Sequence, residues 1–234
     1  DKELLNSLSD PFNEKQISEI IHDVKIILQD ILDKEEYLFK TRVYFKPKSF
    51  EDGNPIYRPI HTGSLKQLIS MVALLHPFIY ELPSDSNKWN LNLSNYSRLI
   101  PNNFYGNRVS LKPEELFKDW RGQYKKYTQK ANEYFKAFHE SKKYKYELKL
   151  DLKKFFPSVD PLAVYGILME HMPVTLSNED IQTFKTAAYK LLVCEIENLK
   201  TDGGQKCYYE DIGITPTYTR GIAQGLPQSY FFGN

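Results

Sequence analysis

Apolar residues recur at three- and four-residue spacing along much of the chain, a pattern that predicts amphipathic helices. The predicted helices cover residues 13–35, 64–80, 113–140, 161–170 and 178–199. Asn13 is the expected N-cap of the first helix, and the second helix is expected to end near Pro77. Pro113 is expected to open the third helix, because proline suits a first helical turn.

Shorter stretches have the residue types of β-strands. Residues 37–46 and 55–60 flank Asp52-Gly53-Asn54, which is typical of a hairpin turn. Further strands are predicted from Tyr146 to Leu152 and, as a short piece, from Tyr208 to Asp211. Helices around a few separated strands favour an α+β fold, with a small antiparallel sheet, over a doubly wound α/β fold.

Composition narrows the class of protein. With 234 residues, 41% hydrophobic and 26% charged, the chain is long enough and apolar enough for a buried core. A net charge of +1 means that any nucleic-acid footprint must be local. Two cysteines, Cys194 and Cys207, exclude a disulfide framework and fit a reducing cytoplasm. No run of 18 apolar residues occurs, so no membrane span is expected.

The strongest candidate for chemistry is Asp151, which ends an apolar strand and is followed by two lysines and two phenylalanines. A carboxylate at a strand end is held rigidly at a sheet edge. It can bind Mg²⁺, which takes one or two protein carboxylates together with substrate phosphates. The alternative is a solvated strand-end aspartate beside lysines.

Two further segments are candidates for nucleotide contacts. Arg58 lies on the strand after the hairpin, where its planar guanidinium could grip phosphate oxygens, with Lys66 eight residues later. The glycine-rich stretch Arg220–Ser229 could let backbone approach a nucleotide closely. The alternatives are an exposed structural arginine and an ordinary loop before a helix.

In this order, the three segments resemble the ordered motifs of reverse transcriptases over residues 50 to 234. Tyr57–Ile60 with Lys66 looks like the fingers motif that retroviral enzymes, group II intron enzymes and retrons share. Asp151–Phe156 looks like motif A, and Gln224-Gly225 with Ser229 looks like motif B. Segments similar to those of bacterial defence-associated reverse transcriptases, including the abortive-infection group, are Asn103–Arg108 with Trp120-Arg121 and Phe155–Ser158.

The resemblance implies a right-hand polymerase fold. Residues 1–145 would be the fingers-like region with an N-terminal helix, and residues 146–234 the N-terminal part of the palm. Asp151 would be catalytic and bind two Mg²⁺ ions about 3.5–4 Å apart, with the Leu152 backbone carbonyl helping to hold one. Motif C, with the second metal carboxylate, and the thumb are expected outside this chain, so the chain alone is expected to be inactive.

The same resemblance assigns the nucleotide-binding residues. Arg58 would contact the incoming triphosphate, and Lys66 would lie near phosphate or template. Phe156 would act as a steric gate that excludes a 2′-OH, although a core aromatic is the alternative for this residue. Gln224 and Gly225 would line the nucleotide pocket.

The implied function is that of part of an RNA-directed DNA polymerase of the bacterial cytoplasm. It would add deoxynucleotides to a growing 3′ end or a protein primer by two-metal phosphoryl transfer, in antiviral defence. The implied partners are RNA or DNA, deoxynucleoside triphosphates and a protein or RNA primer, with a homo-oligomer left open. The alternative is a non-catalytic nucleic-acid-binding or protein-interaction module on a polymerase fold.

A basic and aromatic stretch supports nucleic-acid binding independently of the motifs. Residues 118–149 contain ten Lys or Arg against four acidic residues, a net charge of +6, with aromatic residues interleaved. Basic groups neutralise phosphates and aromatic rings stack on bases. The alternative is a helix with a solvated lysine face and an aromatic face buried in the core.

Overall fold

The computed structural model describes residues 14–79, 104–110, 112, 115–141, 146, 148, 150, 152, 155–174, 176–198 and 221–233. Its helices are α1 (Glu14–Asp33), α2 (Leu65–Ile79), α3 (Trp120–Ser141), α4 (Phe155–Ser158), α5 (Pro161–Glu170), α6 (Asn178–Leu192) and α7 (Pro227–Phe232). Its strands are β1 (Phe39–Glu51), β2 (Asn54–Thr62) and β3 (Cys194–Ile196). The predicted α+β class is confirmed, while Asn13 and Tyr208–Asp211 lie outside the described residues.

The predicted hairpin is confirmed, and its strands are longer than expected. β1 and β2 pair antiparallel, with Glu51 opposite Asn54, so the loop has only two residues. Asp52 and Gly53 have φ values of 51° and 80°. Positive φ at both loop residues is the geometry of a type I′ turn, whose twist matches that of the flanking strands.

The sheet is mixed, so the prediction of an antiparallel sheet is wrong. Its third strand lies in a segment that was predicted as helix. Strand order is β2-β1-β3, and β3 runs parallel to β1. The helix predicted over residues 178–199 ends at Leu192, since Val193 turns to extended backbone and the next three residues pair with β1. The Asn198 amide then continues the pairing: its Oδ1 accepts from the Val43 N–H at 2.9 Å, and its Nδ2 donates to the Val43 carbonyl at 2.7 Å.

The core lies between the sheet and helices α1, α2 and α6. Its most completely buried large side chains are Ile31, Phe39, Met71, Leu75, Phe78, Ile79, Phe184 and Ile196. The rings of Phe78 and Phe184 meet with centroids 5.0 Å apart and join α2 to α6. Burying a side chain of this size contributes about 1.5–3 kcal/mol, so this cluster holds the helices on the sheet.

α2 ends at Ile79, within one residue of the predicted range 64–80, and it passes through Pro77, near which its end was expected. One predicted helix start is wrong. α3 begins at Trp120 rather than at Pro113, because the Asp119 carboxylate accepts from the backbone N–H groups of Arg121 and Gly122 and so caps the helix there.

Lys190 is buried at the end of α6 and serves the turn that follows α1. Its Nζ donates to the carbonyl oxygens of Lys34 at 3.1 Å, Tyr37 at 2.7 Å and Glu35. Carbonyls at a helix C-terminus lack intrahelical partners, so one ammonium satisfies several of them. Burial lowers the pKa of Lys190, and the nearby Glu35 and Glu36 oppose that shift.

Replacing Lys190 by methionine should lower the free energy of unfolding by about 2–4 kcal/mol, because it removes the buried ammonium that binds three carbonyls of this turn. Urea denaturation of the variant measures this loss. Lys185→Met, on the same helix, is the control, since Lys185 makes no hydrogen bond or ion pair to a described residue and should cost less than about 0.5 kcal/mol. Equal losses in the two variants would contradict the role given to Lys190.

Candidate functional site

Residues 221–226 form a tight turn that joins β2 to α4. The Ile222 N–H donates to the Phe156 carbonyl at 2.9 Å, and the His61 N–H donates to the Gln224 carbonyl at 2.7 Å. β2 carries Arg58, and α4 begins four residues after Asp151. The turn therefore brings together three segments that are far apart in sequence and that hold the predicted site residues.

Two glycines make this close contact sterically allowed. Gly225 has φ +108°, and a Cβ built on it would lie 2.6 Å from the His61 carbonyl oxygen. Gly221 has φ +78°, and its Cβ would lie 2.6 Å from the Cα of Pro157. Only glycine combines such φ values with the absence of a side chain. Gly225 was predicted as a pocket residue; its contact with β2 is a separate reason for glycine at this position.

His61 holds the turn with its side chain as well as its backbone. Its ring is 2% exposed, and Nδ1 lies 3.2 Å from the Gln224 carbonyl oxygen. A carbonyl only accepts, so Nδ1 carries the hydrogen. Burial lowers the pKa of His61 to about 4, partly opposed by the hydrogen bond to Gln224, so the ring is neutral at pH 7.

Arg58 lies near this contact but on the exposed face of the sheet. It is three residues from His61, about 10 Å along the strand, and residues at odd spacing project from opposite faces. Lys46 is directly opposite Arg58 on β1, so their side chains share a face. Lys40 and Arg42 are also exposed on that side of β1. Arg58 thus belongs to a positively charged sheet surface that suits a polyphosphate.

Lys66 is engaged elsewhere. It is the second residue of α2, and its ammonium forms an ion pair with Asp23 of α1. The hydrogen bond from Lys66 lowers the pKa of Asp23. The pair ties α2 to α1, so a phosphate contact by Lys66 would have to compete with the Asp23 carboxylate.

Phe156 packs within an aromatic cluster. Its ring meets Phe155 edge-on at 5.3 Å and Tyr230 of α7 at 5.8 Å. It is half-buried against the main core, as the core alternative requires, yet it keeps an accessible part. Gln224 and Gly225 are likewise half-buried, while Ser229 is buried in α7.

The metal-binding prediction depends on Asp151, which lies outside the described residues. Leu152 is described, and its side chain is 70% exposed. Across the parts of the chain that the structure describes, no three His, Cys, Asp or Glu side chains gather where they could hold a metal ion. A Mg²⁺ site would therefore need Asp151 and carboxylates from beyond these parts.

The structure shows no strand at the described positions of the segment Tyr146–Leu152, which was predicted to be one. Residues 146, 148, 150 and 152 have no regular structure, and their side chains are 70% to 93% exposed. A strand requires hydrogen bonds to a neighbouring strand, and no described strand pairs with these four residues.

Sequence reasoning missed His61, Gly221 and Pro157 as the residues that position the site. Gly221 lies inside the glycine-rich stretch that the sequence analysis identified, so its residue type could have indicated a close backbone contact. His61 carried none, because its partner Gln224 is 163 residues away in sequence.

Gly225→Ala should lower the free energy of unfolding by about 3 kcal/mol or more, since it adds a backbone clash to an unfavourable φ. Gly53→Ala is the matched control: its φ is +80°, but a Cβ there meets nothing within 4 Å. That variant should lose only about 1–2 kcal/mol. Urea denaturation of both proteins measures the difference, and equal losses would mean that the close approach to His61 is not constraining.

Acid should destabilise the folded state through His61, because burial disfavours the charged ring. The unfolded ring binds a proton near pH 6.5 and the folded ring near pH 4, so its contribution is complete above pH 6.5 and is lost as pH falls towards 4. The shift corresponds to about 3 kcal/mol. Unfolding free energies at pH 7.5 and 4.5 should differ less for His61→Gln than for the wild type, because glutamine does not titrate. The same pH dependence in both proteins would contradict this role.

Within the described residues, no helix is long and apolar enough to cross a membrane. Comparisons of the chain with protein-family models, curated proteins and solved structures find no match. The resemblance to reverse transcriptases therefore rests on the sequence motifs alone.

Proposed function

We propose that this chain is the nucleotide-binding part of a reverse-transcriptase-type DNA polymerase. It would add deoxynucleotides to a growing 3′ end or a protein primer, with RNA or DNA as the nucleic-acid partner. A right-hand polymerase fold, with fingers and part of the palm, belongs to the same proposal. The role in bacterial antiviral defence comes from the motif resemblance alone.

The observation that carries the proposal is the turn at residues 221–226. It hydrogen-bonds on one side to His61, in the strand of Arg58, and on the other to Phe156, five residues after Asp151. Convergence of the three motif-like segments supports a shared nucleotide site.

The observed surroundings of each described site residue are compatible with its proposed role in nucleotide binding. The Arg58 guanidinium, on an exposed cationic surface, would bind phosphate oxygens. The turn at Gly225 is held rigidly by β2 and would form one wall of the pocket. The ring of Phe156, fixed by Phe155 and Tyr230, would meet the sugar.

Mg²⁺ enters the proposal through Asp151 and the Leu152 carbonyl. When bound, such an ion neutralises phosphate charge and stabilises the oxygens of an in-line displacement. The described residues add no carboxylate cluster to this site, so the ion's other ligands must come from elsewhere.

Asp151→Ala in the complete protein should reduce nucleotide incorporation to background, because it removes the proposed metal carboxylate. Incorporation of each labelled deoxynucleoside triphosphate with Mg²⁺ measures this. Asp160→Ala is the control: Asp160 caps α5 by accepting from the Leu162 N–H, so its loss should cost about 1 kcal/mol of stability and leave incorporation intact. Wild-type rates in Asp151→Ala would reject the assignment.

Phe156→Ala should relax the preference for deoxynucleotides by about 10-fold or more, because a small side chain leaves room for a 2′-OH. The ratio of kcat/KM for a deoxynucleotide and its ribonucleotide measures this. Phe155→Ala is the comparison, since the two rings are adjacent and both half-buried. If only Phe155→Ala changed the ratio, the gate would be Phe155.

The second candidate is a non-catalytic nucleic-acid-binding module. It is favoured by the cationic face around Arg58. Oligonucleotide binding without any incorporation by the complete protein would select it.

A further inference from the structure

Helix α3 exposes a stripe of aromatic rings. Trp120, Tyr124 and Tyr127 are 66%, 61% and 54% exposed. Their spacing of four and three residues places them on one face of the helix. No residue of α3 that the structure describes is buried, so the alternative of an aromatic face within the core is wrong here.

Three positive charges lie on the same two turns as this stripe. At 100° per residue, Arg121 lies about 90° round the helix from the middle of the stripe, while Lys125 and Lys126 lie about 130° from it on opposite sides. None of these three forms an ion pair with a described residue. The Arg121 guanidinium lies 5.1 Å from the Trp120 ring centroid.

The second half of α3 differs. Lys130 pairs with Glu133 at 2.8 Å, and Lys136 lies 3.8 Å from Glu140, so charge there is largely compensated. The acidic residue at the other end, Asp119, directs its carboxylate at backbone N–H groups as the N-cap. Uncompensated positive charge is therefore concentrated on the first two turns of α3, which also carry the three exposed rings.

We propose that this face of the first two turns of α3, which comprises the rings of Trp120, Tyr124 and Tyr127 and the cations Arg121, Lys125 and Lys126 around the helix, binds single-stranded nucleic acid. Planar bases stack on exposed rings while the cations neutralise phosphates. The rings span about 10 Å along the helix, the length of about three stacked nucleotides.

Charge selects this occupant over a second copy of the chain. The side chains on these turns that form no ion pair with a described residue are all positive, so two copies of the face would repel each other. A polyanion with flat, apolar bases satisfies the rings and the cations together. The face lies on a different element from the proposed nucleotide site and does not depend on catalysis.

The test uses the complete protein with EDTA and without nucleotides. Fluorescence anisotropy measures its affinity for a labelled single-stranded 12-nucleotide DNA at several KCl concentrations. Tyr124→Ala should raise the Kd about 10-fold, whereas Tyr124→Phe, which keeps the ring, should change it by less than about twofold. Exposure of Tyr124 means that neither variant should disturb folding.

Lys125→Gln combined with Lys126→Gln should make the slope of log Kd against log salt shallower by about 1.4, from about 0.7 per phosphate contact on a single strand. The control is Lys15→Gln combined with Lys25→Gln, which removes two exposed lysines from α1 and should leave the slope unchanged.

Unchanged affinity in Tyr124→Ala would overturn the proposal, as would tighter binding of a duplex of the same sequence. Loss of self-association in Tyr124→Ala, with no effect on oligonucleotide binding, would also overturn it and identify a second copy as the occupant. Asp151→Ala should bind the oligonucleotide normally. A loss of nucleotide incorporation and a loss of oligonucleotide binding on α3 can therefore be told apart.

Discussion

The structure around the candidate site depends on how closely one turn of backbone approaches two others. Gly225 packs on the backbone of His61, and Gly221 packs on that of Pro157, each at a distance that leaves no room for a Cβ. Hydrogen bonds from His61 and Ile222 fix the same approach. Because the turn is held at both ends, the positions of β2 and α4 are linked, and so are the residues that each carries.

Buried polar groups reinforce this arrangement by satisfying backbone carbonyls. His61 and the Gln224 carbonyl join β2 to the turn, and Lys190 joins α6 to the segment after α1. A buried polar group without a partner is costly, so such contacts specify which segments meet. The apolar core provides most of the stability, and these polar contacts select the arrangement.

The molecule presents two surfaces with different designs. The proposed nucleotide site is a junction of backbone segments, in which glycines allow close contact and Phe156 packs against Phe155 and Tyr230. The face on α3 is built from side chains on one exposed helix, with rings and cations side by side. A junction of that kind suits one defined small ligand, whereas an open stripe suits a flexible strand whose bases stack in turn.

The sequence by itself determined the local elements whose signals lie within a few residues. The apolar period of α1, the turn chemistry of Asp52-Gly53 and Pro161 in the first turn of α5 each specify structure through neighbouring contacts. It also singled out the glycine-rich stretch, although not the partners that the glycines contact.

Only the tertiary structure decided the features that depend on distant partners. β3 was predicted as helix because its extended form is stabilised by pairing with β1, about 155 residues away. The aromatic residues of α3 could equally have been core or surface, since a helical period does not reveal what lies against it. His61 became a positioning residue through Gln224, 163 residues later, and no local pattern encodes a contact of that range.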